Sequence, residues 1–344
     1  MERLLATLPA QPDRHLTLGA MTTLRPEDIT IAITVYDRQN YIGQAIRSAI
    51  AQCCEGRPEV IVVEDRGPNP TLQESIIREF GAQIHYFRNP RRRGLFDNWN
   101  ACIEACRTPW LCILHDDDFL EPTFVESMLE LAQAAPGRAL YYGLGDVVDS
   151  SGKPREVRPR SASFAWHELD LEDWARYDPV CFPAQLFNVE AACALGGFRS
   201  SSRYCADWEM WFKLALNYGA TATNRVVANY REYHAVGRGT SDVDISGRKY
   251  AFVNMQRKRH MAWLRQKKPA VRFDRRALFK ESPLPSRFIL RHGYAFPRRM
   301  LRYNTGLLLI STAPHFGYRL VQLFATLFSW RSLRIVSRIF NSFN

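Results

Sequence analysis

The chain has 344 residues, 46% of them hydrophobic, 24% charged and 12% aromatic. That composition fits one large globular domain or two smaller ones and excludes a wholly disordered, collagenous or coiled-coil protein; a core of that size needs no disulfide or zinc staples. The net charge of +11 is concentrated, because nine arginines and no acid follow Glu281, which puts any basic partner surface at the C-terminus.

Residues 1–27 read as a leader, with Pro9, Pro12 and the charges of Glu2, Arg3 and Asp13 in place of an apolar signal core. Ile29–Val35 is an apolar, β-branched run that predicts a buried strand. Tyr41–Ala51 carries Ile42, Ala45, Ile46 and Ala49 at helical spacing. Glu59–Asp65 predicts a second strand, Thr71–Phe80 a helix, Ala82–Phe87 a third strand, Gly94–Cys106 a helix, Trp110–Leu114 a fourth strand and Pro122–Ala134 a helix. This alternation predicts an α/β fold, a Rossmann-like, mostly parallel sheet with flanking helices. Ligands bind such sheets at the carboxyl ends of strands, where Asp65 and Asp116–Asp118 fall. Further on, Ala139–Asp149 reads as a strand and turn and Trp208–Leu216 as a helix; from Met255 the chain is arginine-rich and apolar by turns. No stretch reaches the ~18 apolar residues of a membrane-spanning helix. The eight cysteines form no CxxC pair and mostly sit in apolar runs, which predicts buried, reduced thiols and a reducing compartment.

Four segments carry chemistry. In Leu114–Pro122, three consecutive aspartates at a strand end repel one another unless a cation offsets them. Their hard oxygens suit Mg²⁺ or Mn²⁺, which would also hold a diphosphate. In extended backbone Asp116 and Asp118 would share one side and Asp117 the other; the plain alternative is an acidic loop capping the helix after Pro122. Cys205–Leu216 sets Asp207 and Glu209 among apolar residues, where burial would raise a carboxyl toward general-base duty; otherwise Asp207 caps a helix and the tryptophans are core. Tyr230–Ser241 places His234 in a Gly-rich basic segment that could fold over a diphosphate or be structural. Asn89–Asn100 puts Arg91–Arg93 before a glycine and a helix, as a phosphate site or a solvated turn.

Taken in order, these segments resemble the family 2 glycosyltransferases, inverting enzymes of the GT-A fold, over about residues 28–245. The opening strand, turn and helix match at residues 29–52, with Thr34 where proline is usual and Asp37 where asparagine is usual. Glu59–Pro68 resembles the family's V-V-D-D-G-S turn, with Glu64 replacing the first aspartate. Residues 89–122 resemble the family's helix and D-x-D motif, and Ala206–Trp211 its E-D motif, with Ala206 replacing the glutamate. The resemblance implies that Asp65 and the Thr34–Tyr36 turn hold base and ribose and that Asn98 lies in the donor site. It further implies that Asp116 and Asp118, with His234, hold a divalent metal while Asp117 serves the ribose. Asp207 is then the catalytic base, with Glu209 as runner-up, and His234 closes on the diphosphate. The expected domains are residues 28–250 for catalysis (28–135 nucleotide-binding, 136–250 acceptor) and 251–344 as a helical extension.

The implied function is metal-dependent transfer from a nucleotide sugar, of which UDP-sugars are the commonest, to a glycan or lipid-linked acceptor in surface polysaccharide synthesis. A sugar nucleotidyltransferase would carry a Gly-rich phosphate loop after the first strand, and Thr34–Tyr41 has none. A non-catalytic relative would have no need of intact Asp116, Asp118 and Asp207. A nucleic-acid partner is not expected, since the tail's arginines are spaced among Leu, Ile, Phe and Trp and no binding motif is visible. In Tyr318–Trp330 and Arg331–Phe340 apolar stripes lie beside arginines, the pattern of an amphipathic helix in an anionic headgroup layer. That predicts a cytoplasmic protein, peripheral on the inner face of the membrane, unless the stripes pack back on the catalytic domain.

Overall fold

The computed structural model describes residues 24–37, 39–155, 165–232 and 248–268. Residues 1–23 of the leader, His234 and the whole stretch 269–344, with its expected membrane helices, lie outside the described residues. The first half follows the expected alternation: β1 (Ile29–Val35), α1 (Gln39–Ile50), β2 (Glu59–Glu64), α2 (Leu72–Phe80), β3 (His85–Arg88), α3 (Leu95–Ala105), β4 (Trp110–His115), β5 (Phe119–Leu120) and α4 (Phe124–Ala134). The second half comprises β6 (Leu140–Val148), β7 (Trp166–His167), α5 (Leu171–Arg176), β8 (Gln185–Asn188), α6 (Val189–Ala194), α7 (Ala206–Tyr218), β9 (Ala220–Arg231) and α8 (Arg248–Lys267).

All seven residues of β1 are buried, as expected of a strand covered on both faces. The sheet order is β3-β2-β1-β4-β8-β6-β9-β5, with β7 added on β9. Strands β1 to β4 run parallel; β8 is antiparallel to both β4 and β6, while β5 and β7 are antiparallel to β9. The sheet is therefore mixed, with more antiparallel pairing than the mostly parallel sheet expected. After β3 the chain returns to the other side of β1 to form β4, so the carboxyl ends of β1 and β4 flank a topological switch point, the place where such sheets leave a crevice. Register pairs Thr34 with His115 there. On α1, Ile42, Ala45, Ile46 and Ala49 turn into the core at the expected spacing.

The expected strand Ala82–Phe87 begins only at His85, because Gly81–Gln83 makes a 3-10 turn. The described residues, apart from Arg248, form one compact unit that includes α8. Among the described residues no helix is long and apolar enough to cross a membrane. Half of the cysteines are buried rather than most: Cys102, Cys106, Cys112 and Cys205 are covered, whereas Cys53 is exposed.

Candidate active site

At the end of β1 and β2 the backbone is packed too tightly for side chains. A Cβ on Gly67 would lie 1.6 Å from the Tyr36 carbonyl oxygen, so only glycine fits. Buried Asp65 takes the N–H groups of Arg93 (2.6 Å) and Gly94 (2.8 Å) and the Asn89 amide (3.3 Å). Asn98, on the first turn of α3, accepts from Asn89 at 2.8 Å and donates to the Val63 carbonyl at 3.2 Å. Asp65 and Asn98 thus clamp the start of α3 to the end of β2. Of the three arginines before it, Arg93 pairs bidentately with Glu104 at 2.6 and 2.7 Å. Arg91 and Arg92 are exposed, and the Arg92 guanidinium lies 4.3 Å from the centre of the Tyr36 ring, a cation–π pair at the mouth of the crevice. Glu64 accepts from Gly67 N–H, Tyr86 hydroxyl and Arg88; its carboxylate is spent on holding the turn.

The three aspartates do not continue β4. Asp116 and Asp117 form a turn and the Asp118 N–H returns to the His115 carbonyl at 3.3 Å. The alternation expected of extended backbone is lost, and the structure gathers Asp117 and Asp118 with His115, one ligand atom from each lying within 4.8 Å of the others. All three aspartates are buried. Asp118 Oδ1 accepts the Arg231 N–H at 2.8 Å. Asp118 Oδ2 is buried and, among the described residues, meets only His115 Nδ1, at 3.5 Å. Burial raises the Asp118 carboxyl, His115 and the Arg231 N–H oppose the rise, and the Asp117 charge adds to it. Arg231, the last residue of β9, ties the turn in place. Its guanidinium donates to the carbonyls of Asp117 (2.7 Å), Asp149 (3.0 Å) and Ser150 (2.9 Å) and to Gln44 (2.7 Å).

Asp207 lies in the first turn of α7, not at its cap, which is Cys205. Its Oδ1 accepts the Trp208 N–H at 2.8 Å. Burial lifts its carboxyl to about 6, against the pull of nearby N–H groups and the His115 charge. Trp211, one turn along on the same face, has its ring centre 6.3 Å from that of Phe182. Phe182 in turn stacks on His115 at 4.0 Å, so this face of α7 looks toward the end of β4. Asp178 is exposed; the desolvation it undergoes and then the Asp207 charge raise its carboxyl. The Trp208 indole donates to the Trp174 carbonyl at 2.8 Å, fixing α5 against α7.

Glu209 has a different environment. It is 1% exposed and meets Arg199 (2.5 Å), Lys213 (3.0 Å), Arg259 (2.9 Å) and the Ser202 hydroxyl. Burial pushes its carboxyl up, but hydrogen bonds from Arg199, Ser202 and Lys213 outweigh that and hold it at about 2. A carboxylate so firmly ionised is a poor proton acceptor at neutral pH, which corrects its standing as the runner-up base. Sequence reasoning passed over His115, Asp178 and Arg231. The signal for His115 was its place beside the aspartates; Asp178 and Arg231 carried none.

Residues 30–188 match the sequence model of glycosyl transferase family 2. Chondroitin synthase of Escherichia coli is 26% identical over 235 residues, 66% of this chain and 32% of that protein. The succinoglycan biosynthesis protein ExoO of Rhizobium meliloti is 33% identical over 129 residues, 37% of this chain and 35% of that protein. The chain thus spans about a third of the length of these relatives. Among solved structures, S. aureus TarS 1–349 superposes with a TM-score of 0.52 at 13% identity, covering 87% of this chain and 91% of that one. Its complex with UDP-GlcNAc gives 0.51 at 14%, with 87% and 91% covered. At such identities the likeness speaks for the fold, which is the GT-A type expected.

Proposed function

We propose that this chain, whose residues 30–188 belong to glycosyl transferase family 2, is an enzyme that transfers a sugar from a nucleotide-sugar donor, with inversion, to a hydroxyl of a glycan or lipid-linked saccharide in polysaccharide synthesis. One observation carries the reading: the raised carboxyl of Asp207 lies near enough to His115 to feel its charge, and His115 gathers with Asp117 and Asp118 at the end of β4. The UDP-GlcNAc complex of TarS supports a UDP-sugar as donor; the polysaccharide roles in the names of the relatives support the acceptor class.

In this reading the donor lies over the ends of β1 and β4, with Asp65 and the Thr34–Tyr36 turn at the base and ribose. With its carboxyl near 6, Asp207 is mostly ionised at pH 7. It takes the acceptor's proton as that oxygen attacks the anomeric carbon; the new carbon–oxygen bond forms as the bond to the diphosphate breaks on the opposite face. The turn fits a divalent cation, because Asp118 Oδ2 is buried beside further hard donors and, among the described residues, meets only His115 Nδ1 at 3.5 Å. Asp118 would hold it together with one neighbouring carboxylate and His234, leaving the other aspartate of the turn for the ribose. When bound, Mg²⁺ or Mn²⁺ supplies neutralisation of charge gathering on the leaving diphosphate. Arg231 keeps the carboxylates in place by holding the turn's backbone. The nine arginines beyond Glu281 support a cytoplasmic-face location on anionic lipid, where a lipid-linked acceptor would be met.

A thermal-shift screen of the full chain tests the reading, using UDP, other nucleoside diphosphates and UDP-sugars, with Mn²⁺ and with EDTA. A ligand at a hundred times its Kd stabilises by about 2.7 kcal/mol, so a nucleotide-dependent rise that EDTA removes is expected. No shift with any nucleotide, with or without metal, refutes it.

A further inference from the structure

We infer that His115 supplies a nitrogen ligand to the cation at the end of β4 and biases that site toward Mn²⁺ over Mg²⁺. The inference rests on the proposed function and names a donor that the aspartate motif does not contain.

Three features of the fold bring the imidazole to the ion. The turn after β4 folds Asp118 back over His115, through the Asp118 N–H on the His115 carbonyl. The Arg231 N–H then fixes Asp118 Oδ1 at 2.8 Å and leaves Oδ2 on the histidine side. Oδ2 is buried, and among the described residues its one close polar neighbour is His115 Nδ1 at 3.5 Å. That separation is beyond a good hydrogen bond. It suits two donors of one ion, since ligand bonds of ~2.0–2.6 Å at right angles set their donors ~2.8–3.7 Å apart. Asp117 completes the group within 4.8 Å. The ring is held there: it stacks on Phe182 at 4.0 Å and 12° and on Trp99 at 5.7 Å and 24°.

The donor set then decides the metal. Mg²⁺ prefers oxygen ligands and releases its waters reluctantly. Imidazole favours first-row transition ions, and carboxylates accept Mn²⁺ readily. One nitrogen beside two carboxylates therefore costs Mg²⁺ more than Mn²⁺. An ion pair of protonated His115 with Asp118 is the competing account of the 3.5 Å contact, and it places no nitrogen on the metal.

Electron spin-echo spectroscopy of Mn²⁺ added to the full-length protein, with and without UDP, separates the two. Nitrogen modulation from a directly bound imidazole is expected in the wild type and in His234→Ala, and its loss when His115→Gln is added to His234→Ala. Mn²⁺ affinity should fall by about tenfold or more in His115→Gln, and Mg²⁺ affinity by less. If His115→Gln fails to fold, ¹⁵N-histidine labelling of the His234→Ala protein gives the answer without touching His115: the modulation must change to the ¹⁵N pattern. Bound Mn²⁺ without nitrogen modulation, or modulation that survives in the folded His234→Ala/His115→Gln protein, overturns the ligand assignment and leaves the proposed function standing. If Mn²⁺ stays free even with UDP, the metal part of the proposed function fails, and His115 with it.

Discussion

Glu209→Gln separates an anchor from a base. The Glu209 carboxyl is held at about 2 against an ordinary 4.5, and its side chain is only 2% exposed, so solvent screening is slight. A difference of this size corresponds to about 3 kcal/mol of stability, in line with the ~3–5 kcal/mol lost when one partner of a buried ion pair is removed. Because the folded value is depressed, the stabilisation is complete above pH 4.5 and disappears as the pH falls through 2. Urea unfolding at pH 7 should therefore show Glu209→Gln less stable by about 3 kcal/mol. The difference should shrink as both proteins are taken from pH 4.5 toward 2. Below its unfolding temperature the variant should still turn over. A variant as stable as wild type at pH 7 but inactive would refute the anchor and return Glu209 to the chemistry.

Asp207→Asn should lower turnover by at least ~10²-fold with a melting temperature that does not fall and rises at neutral pH, because asparagine still accepts the Trp208 N–H and removes a charge whose burial disfavours the fold. In the wild type the same group predicts activity that rises with pH through about 6, so turnover at pH 5 should be about a tenth of its plateau; a profile flat to pH 5 contradicts it. Gly67→Ala should cost ~1–3 kcal/mol in denaturant unfolding and weaken UDP binding in calorimetry, since a methyl group cannot stand 1.6 Å from the Tyr36 oxygen; unaltered binding would remove the Tyr36 turn from the donor site. Full-length protein should pellet with anionic liposomes in a salt-sensitive way and protein ending near Glu281 should not, each nearby arginine adding ~1 kcal/mol; full-length protein that ignores the liposomes ends the anchor reading.

The nucleotide half was legible because its strands are covered on both faces: a run such as Ile29–Val35 has no other use than a buried parallel strand. The second half was not, because its order comes from pairings distant in sequence. β8 is four residues long and joins β4 to β6 by antiparallel ladders, and β9 changes register against β6 at Leu144. Neither feature leaves a local period. The acidic turn was legible as chemistry and misread as geometry, since alternation assumes extended backbone and the chain turns at Asp116. Arg231 was invisible for a related reason. It sits 113 residues beyond Asp118, whose carboxylate its N–H holds, and a lone arginine at a strand end reads as solvated surface.

Asp207 and Glu209 are two residues apart, and their difference follows from the helix that carries both. Successive residues on a helix turn by about 100°, so positions i and i+2 point nearly opposite ways and each shares its face with i+4. Asp207 shares its face with Trp211, whose ring packs toward Phe182 and thence His115. Glu209 shares its face with Lys213 and is met by Gln256 and Arg259 from α8. One face leaves its carboxyl half-buried with few counter-charges, and desolvation lifts it to about 6. The other buries its carboxyl among three cations, and hydrogen bonds from Arg199, Ser202 and Lys213 hold it at about 2. The cations do more than ionise Glu209: they pin α7 by a contact that involves no reacting atom, which fixes the rotation of the helix and hence the direction in which Asp207 faces. Asp207, Glu209 and α8 all lie beyond residue 188, where the family match ends. The proposed base thus depends on an ionic lock supplied by the part of the chain that the family resemblance describes least.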